Sequence, residues 1–522
     1  MNQPRRLLPG LEPVALFDGA ASRAIEHDAL AAHPAHALME RAGLGLARLA
    51  LAMAPHAPCV WVAAGPGNNG GDGLVAARWL HAAGKSVHVS WLGDPAHLPD
   101  DAAHAHRQAL ASGLVLHRAP PPEASWPDLA IDALLGLGQS RPPEGEIAAA
   151  VLALNRCHAA GTRVLAADLP TGLCGDTGRA LGGPLVQADA TLALLTAKPG
   201  LFTAQGRDAA GEVWLDELDA VVDARRATAQ LSGRPHALAA MAPRLGAAHA
   251  SHKGRFGDLL VVGGAPGMRG ALALAGQAGL RAGAGRVYLC PLDDDAPADG
   301  ALPGGRAELM TRSWAQARAA GLADAATVVC GCGGGEAVRA PLPELISRSP
   351  RLVLDADALN AVAADAGLAG QLQARGRRGA ATVLTPHPLE AARLLGCDTA
   401  SLQADRCGAA QRLADRFVAV VVLKGSGSVI AAPGAVPLIN PTGNARLASA
   451  GTGDVLAGWI GGCWSTHADA GATAALATAA TVAAGSAWLH GWASQQAACQ
   501  AGLPLPAGML IDAMVDAAVR LP

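Results

Sequence analysis

The sequence predicts an α/β protein built from two different domains, and three observations carry that expectation. Short apolar runs alternate with Ala- and Leu-rich helical patterns, first in one half of the chain and then again in the other. The 64 glycines and 35 prolines fall between those runs as punctuation instead of forming a low-complexity tract. The length, 522 residues, exceeds one core, since domains run to about 150 residues each.

In the first half, "PCVWVAA", "SVHVSWL", "DLAIDAL", "RVLAADL" and "DATLALL" read as strands. Helical stretches lie between them, which implies parallel βαβ units. The second half repeats the theme with "DLLVVGG", "RVYLCP", "ATVVCG", "RLVLDAD", "ATVLTP" and "AVVVLKG". Residues 223–244, "DARRATAQLSGRPHALAAMAPR", show no strand pattern and read as a linker between domains 1–222 and 245–522. The halves do not match motif for motif, which argues against a duplication.

Composition excludes several classes. The formal charge is −3, from 40 basic and 43 acidic residues, with no charged block, so nucleic acid is not an expected partner. Ten scattered cysteines show no C-x-x-C or Cys/His metal spacing, and a reduced cytoplasm is the expected location. The uncharged stretch Ala470–Ala493 has the length of a membrane span. It is rich in Ala, Thr and Gly, however, and reads as a buried helix, so no membrane role is expected.

In parallel sheets ligands bind where loops leave the carboxyl ends of strands, so the polar residues just after each run are the informative ones. "AAGPGNNGGDGLVAARWL" follows the first strand, with Gly65, Gly67 and Gly70 matching G-x-G-x-x-G. "LGLGQSRPPEG" and "PTGLCGDTG" follow two others. Such turns bring backbone close to a ligand, and helix starts offer free N–H donors to phosphate. Asn68, Asn69, Asp132, Asp168 and Thr171 supply oxygens suited to alkali or alkaline-earth ions. Each residue also has a plain reading as a turn former or cap.

In the second half, "NPTGNARLASAGTGDVLAGWIGG" places a Gly451–Thr452–Gly453 turn and Asp454 at the start of a helix. Backbone amides there can hold a transferring phosphoryl group, and Asp454 can accept the proton of an attacking hydroxyl. A cap is the simpler alternative. Asp355, Asp357 and Asn360 at a strand end can orient a sugar hydroxyl or magnesium, and His387 sits between two prolines before a helix. "VVLKGSGSVIAA" reads as a hairpin whose Lys424 can reach a phosphate.

"LMERAG", "AGPGNNGGDG", "IDALLGLGQSR", "ADLPTG" and "TAKPGLFTAQGRDAAGEV" together resemble the NAD(P)H-hydrate epimerase domain over about residues 12–218. The resemblance implies a Rossmann-like three-layer fold and a potassium ion. It places Asn68, Asn69, Gly70, Gly71 and Asp72 on the hydrated nicotinamide, together with Gly136, Leu137, Gly138, Gln139, Ser140, Arg141, Pro142 and Asp168. Asn69, Asp132 and Thr171 would serve the potassium site, with Thr171 standing where the family commonly has Ser. Asp168 is the candidate acid/base.

"KGSGS", "VLDADALNA", "LTPHPLEAARLLG" and "GTGDVLAG" resemble the ADP-dependent NAD(P)H-hydrate dehydratase over about residues 245–520, which implies a ribokinase-like α/β fold. By position, Ala271, Gly333, His387 and Asp454 would meet the hydrate. Lys424, Gly425, Ser426, Gly427, Ser428 and Gly453 would hold the adenine nucleotide. Three stretches depart from the family pattern. "GCGGG" at 331–335 replaces G-P-G-L-G, Leu389 replaces Gly, and Ser428 replaces Thr.

The joint implication is repair of hydrated NADH and NADPH. The first domain would interconvert the R and S hydrates. The second would dehydrate the S form with magnesium and ADP or ATP, releasing AMP and phosphate in the ADP case, and a homo-oligomer is the expected assembly. The rival reading is a ribokinase-like small-molecule kinase with an attached nucleotide-binding domain.

Overall fold

The computed structural model describes residues 3–8, 10–293, 307–468, 471–497 and 502–521. Ala470, which opens the apolar stretch, and Cys499 lie outside these residues. The chain separates into two compact units, one built on Val14–Gln230 and the other from Leu231 onward, the latter also taking in Gly10–Pro13.

The first unit holds strands β1 (Arg5–Arg6), β2 (Val14–Leu16), β3 (Cys59–Ala64), β4 (Ser86–Trp91), β5 (Leu116–His117), β6 (Leu129–Ala133), β7 (Arg163–Ala167), β8 (Ala190–Leu194) and β9 (Glu212–Asp216). One sheet runs in the order β1-β9-β8-β7-β6-β3-β4-β5. All its pairings are parallel except β1 on β9. From β5 to β8 this is the doubly wound Rossmann order, and its direction reverses between β3 and β6. Side chains alternate across the sheet. Val60, Val62, Ile131 and Leu165 pack on one face, Trp61, Ala63, Ala130 and Val164 on the other, which gives three layers.

β10 (Ala229–Leu231) and the helix Arg234–Leu245 follow. Here the sequence expectation needs correction, because residues 223–244 contain a strand and most of a helix. Ala237, Ala240 and Met241 lie three and four residues apart and form the buried stripe of a helix that carries a proline near each end, Pro235 and Pro243. That stripe is buried in the second unit, where Ala237 and Met241 share a core with the helix Ala472–Gln496.

The second unit holds β11 (Asp258–Gly263), β12 (Arg286–Pro291), β13 (Met310–Thr311), β14 (Thr327–Cys330), β15 (Arg351–Leu354), β16 (Thr382–Leu384), β17 (Val420–Leu423), β18 (Val429–Ala431) and β19 (Leu438–Ile439). They are ordered β13-β12-β11-β14-β15-β16-β17-β18-β19. The pairings are parallel as far as β17, then antiparallel through the hairpin to β18 and β19. The order reverses between β11 and β14. Leu259, Val261, Val353 and Val422 face one apolar layer, and Leu260, Val262, Leu354 and Val421 face the other. The charge-free helix Ala472–Gln496 belongs to the first of these layers through Val482, Trp488 and Leu489. Among the described residues no helix is long and apolar enough to cross a membrane.

Candidate functional sites

In the first unit a cavity of about 920 Å³ opens at the carboxyl ends of β3, β6, β7 and β8. The expected residues Asn68, Asn69, Asp72, Gly136–Pro142 and Asp168 all line it. Gly70 and Gly71 do not. They lie in the first turn of the helix Asn68–Ala82, where a Cβ on Gly70 would overlap the backbone carbonyl of Gly65, and one on Gly71 would press the Met39 thioether. Gly65 in turn abuts the Leu134 backbone. The glycines bring the loops together, while the neighbouring amides and carboxylate face the cavity.

Asp168 adopts φ 63°, a left-handed conformation rare for a residue with a side chain, and is nearly buried. Its carboxylate accepts from the backbone amides of Leu137 (3.2 Å) and Leu194 (3.3 Å) and is ion-paired with the Lys198 ammonium. Lys198 is only 2% exposed and also donates to the Leu194 carbonyl at 2.9 Å. Four further carboxyls line the cavity, Glu26, Asp72, Asp101 and Glu144, and the electrostatics of Glu26 and Asp72 stand out. Burial, reinforced by Asp168, raises both above the usual carboxylate range, Asp72 well above it.

Asp132 and Thr171 are fully buried beside this cavity. Asp132 accepts from the Thr171 hydroxyl (2.8 Å), the Thr171 amide (2.8 Å) and the Leu134 amide (3.2 Å). Burial nevertheless lifts its carboxyl to about 6. Asn69 meets the same loop from the cavity side, against Gly136, and its Nδ2 has no hydrogen-bond partner. The Asp132 carboxylate, the Thr171 hydroxyl and the Asn69 side-chain oxygen form a hard-oxygen set of the kind that fits an alkali cation.

In the second unit the expected residues converge at the carboxyl ends of β11 and β14–β17. Gly451, at φ 87°, turns the chain into the helix Thr452–Ser465, whose internal hydrogen bonds begin at the Val455 amide. The amides of Thr452, Gly453 and Asp454 therefore point out of the helix start. Lys424 Nζ lies 3.4 Å from where a Gly453 Cβ would be and bonds Asp355 at 2.7 Å. Burial opposes the charge on Lys424, but Asp355 and Glu390 outweigh it and hold its pKa above the ordinary lysine value. Burial, with Asp355 adding repulsion, lifts Asp454 to about 6. Ala271 and Gly333 lie against one another, with a Gly333 Cβ position 3.0 Å from the Ala271 methyl.

His387 caps the helix Pro388–Leu395. Its Nδ1 accepts from the Leu389 and Glu390 amides, and its Nε2 faces Glu390 at 3.2 Å. The hairpin loop Lys424–Ser428 is held from beneath by the buried guanidinium of Arg406, which donates to the carbonyls of Lys424 (3.2 Å) and Gly427 (3.4 Å). Asp355, Asp357 and Asn360 do not form one cluster. Asp355 pairs with Lys424 and Thr385, Asp357 accepts from the Gly335 amide, and Asn360 accepts from Arg393.

Lys198, Glu26 and Arg406 carry no marker in a lone sequence. Lys198 was visible only inside "TAKPG", and Glu26 and Arg406 sit in ordinary helices. Only folding shows that Lys198 is buried against a carboxylate, that Arg406 is buried beneath a loop, and that Glu26 lines the cavity.

Two family models match the chain, "NAD(P)H-hydrate dehydratase" over residues 259–515 and "YjeF-related protein N-terminus" over 35–200. The bifunctional NAD(P)H-hydrate repair enzyme of Escherichia coli (strain K12) is 36% identical over 434 residues, covering 81% of this chain and 79% of that one. Its counterpart in Moorella thermoacetica is 36% identical over 473 residues, 86% and 85% of the two chains. Among solved structures, the ADP/ATP-dependent NAD(P)H-hydrate dehydratase from Bacillus subtilis, co-crystallised with ATP and Mg2+, is 26% identical. It covers 53% of this chain and 94% of its own, at a TM-score of 0.40.

Proposed function

The chain belongs to the bifunctional NAD(P)H-hydrate repair enzymes, and from that membership we propose how its two units divide the chemistry. The enzyme epimerises the R and S hydrates of NADH and NADPH in the first unit and dehydrates the S form in the second.

In the hydrate, C6 of the ring bears both the hydroxyl and the ring nitrogen. Opening and re-closing the C6–N1 bond therefore exchanges its configuration. Asp168, held by Lys198 and two amides, takes the hydroxyl proton as the C6–N1 bond breaks. Asp72, whose carboxyl burial raises well above the usual carboxylate range, gives a proton to the nitrogen, and both transfers reverse on closure. Two cavity carboxyls in environments this different are suited to a base and an acid. Potassium at Asn69, Asp132 and Thr171 would supply the charge that the buried Asp132 carboxylate lacks.

In the second unit Asp454 accepts the proton of the C6 hydroxyl as its oxygen attacks the terminal phosphoryl group of ADP. The outward amides at Thr452–Asp454 and the Lys424 ammonium stabilise the transferring charge. Phosphate then leaves C6 while C5 loses a proton, and the reduced nicotinamide is restored. Magnesium, held mainly by the nucleotide phosphates, would need no closed protein cage here. The nine described cysteines are free thiols, in keeping with a reducing cytoplasm.

The observation that carries the reading is the convergence of Lys424, Asp355 and Asp454 on one helix start. Product analysis tests it. AMP, inorganic phosphate and NADH in equal amounts are expected, and a stable phosphorylated alcohol would mean a kinase instead.

A further inference from the structure

The second unit holds a thiol at its chemical centre that the repair reaction does not use. Cys332 is fully buried in the glycine loop that follows β14. Its sulfur, one oxygen of Asp355 at the end of β15 and one oxygen of Asp454 in the first turn of Thr452–Ser465 all lie within 4.8 Å of one another. Among the described residues this is the one such cluster of potential metal ligands.

The three come from three separate elements, so their convergence is tertiary and not a by-product of helix or turn spacing. Asp355 Oδ1 is already bonded to Lys424 and Thr385, which leaves its second oxygen for another partner. A tetrahedral ion with Sγ at about 2.3 Å and oxygens at about 2.0–2.2 Å spaces its ligands roughly 3.5 Å apart. The set therefore needs only a small inward closure. A thiolate with two carboxylates selects a borderline or soft dication of the zinc class and disfavours magnesium, which requires oxygen ligands in a larger shell.

We propose that Cys332, Asp355 and Asp454 form an inhibitory site for a zinc-class divalent cation, distinct in ligand chemistry from the magnesium that accompanies the nucleotide. The ion displaces the thiol proton to solvent and ties up the Asp454 carboxylate, so that it can no longer accept the substrate proton. It also draws Asp355 from Lys424. The fourth position stays open to water or to a substrate oxygen. The effect on turnover rests on the function proposed above, whereas binding does not, and the test separates the two.

The purified full chain is titrated with Co2+ and, separately, with chelator-buffered Zn2+. Cobalt should bring up a thiolate-to-metal charge-transfer band at one equivalent, which Cys332→Ser and Cys332→Ala both lose while keeping the wild-type unfolding temperature. Zinc should arrest dehydration without slowing epimerisation, and in both variants the inhibitory concentration should rise at least tenfold. A cobalt band that survives both substitutions, or wild-type zinc sensitivity in both variants, would overturn the site. The band is read without turnover, so failure of the repair reading would leave it intact.

Discussion

Replacing Lys198 by Met should separate the two activities within one chain. Lys198 is 2% exposed and Asp168 8%, so the substitution removes one partner of a buried ion pair. Breaking such a pair costs about 3–5 kcal/mol, because the remaining charge is left unpaired. Asp168 keeps its two amide donors, which puts the loss near the lower end, about 3 kcal/mol. Domains are stable by about 5–15 kcal/mol, so the first unit should stay folded and unfold about 6–12 °C earlier.

A base that is no longer aimed should lose roughly a hundredfold or more in epimerisation, the lower bound of what positioned acid–base groups contribute. Racemic NADH hydrate with ADP and magnesium provides the assay, through recovery of the dihydronicotinamide absorbance. Half of the signal should return at the wild-type rate through the untouched second unit. The other half should follow slowly, and adding an Asp454→Asn chain, whose epimerase is intact, should restore it. If Lys198→Met recovered both halves at the wild-type rate, the base assignment and the role of the pair would both be refuted.

Asp454→Asn should lower dehydration by at least about a hundredfold with little change in unfolding temperature. In the wild type the dehydration rate should fall as pH drops through about 6, where Asp454 protonates. Asp132 is also raised to about 6, so the folded state binds more protons than the unfolded one between about pH 4 and 6. Its contribution to stability is therefore full at low pH and lost as pH rises through 6. Potassium chloride should return that stability above pH 6, by about 2–3 kcal/mol at saturation, relative to choline chloride in a thermal melt. It should do little at pH 5, or in Asp132→Asn at any pH. Gly70→Ala should cost about 1–3 kcal/mol or more by overpacking, since the Gly65 backbone beside it has no rotamer with which to yield. Circular dichroism melts would show whether it is tolerated.

The parallel strands were readable because runs such as "CVWVAA" and "LVLD" are apolar on both faces and end in glycine or aspartate. The residues that gather at the cavity and at the helix start Thr452–Ser465 were readable for the same reason, since strand ends expose whatever follows them. Three features were not readable. The helix Arg234–Leu245 carries Pro235 and Pro243, which punctuate the sequence like a loop although Pro235 sits in the first turn. Gly70 and Gly71 read as ligand contacts, yet outside the cavity lining Gly70 makes room for the Gly65 backbone and Gly71 for the Met39 thioether. Asn360 shares a motif with Asp355, but Arg393, 33 residues away, draws its side chain elsewhere. Lys198 and Arg406 illustrate the general limit. A buried cation is recognised by what it neutralises, and that is settled by tertiary contacts.

The central claim is that two sites in one chain act on the two epimers of one damaged cofactor. Its most direct measurement is the recovery of NADH from racemic hydrate by the purified chain with potassium, magnesium and ADP. Complete return of the dihydronicotinamide absorbance, with one AMP and one phosphate formed per molecule restored, is the predicted result. Absorbance that does not change, with both epimers intact by chromatography, would contradict it.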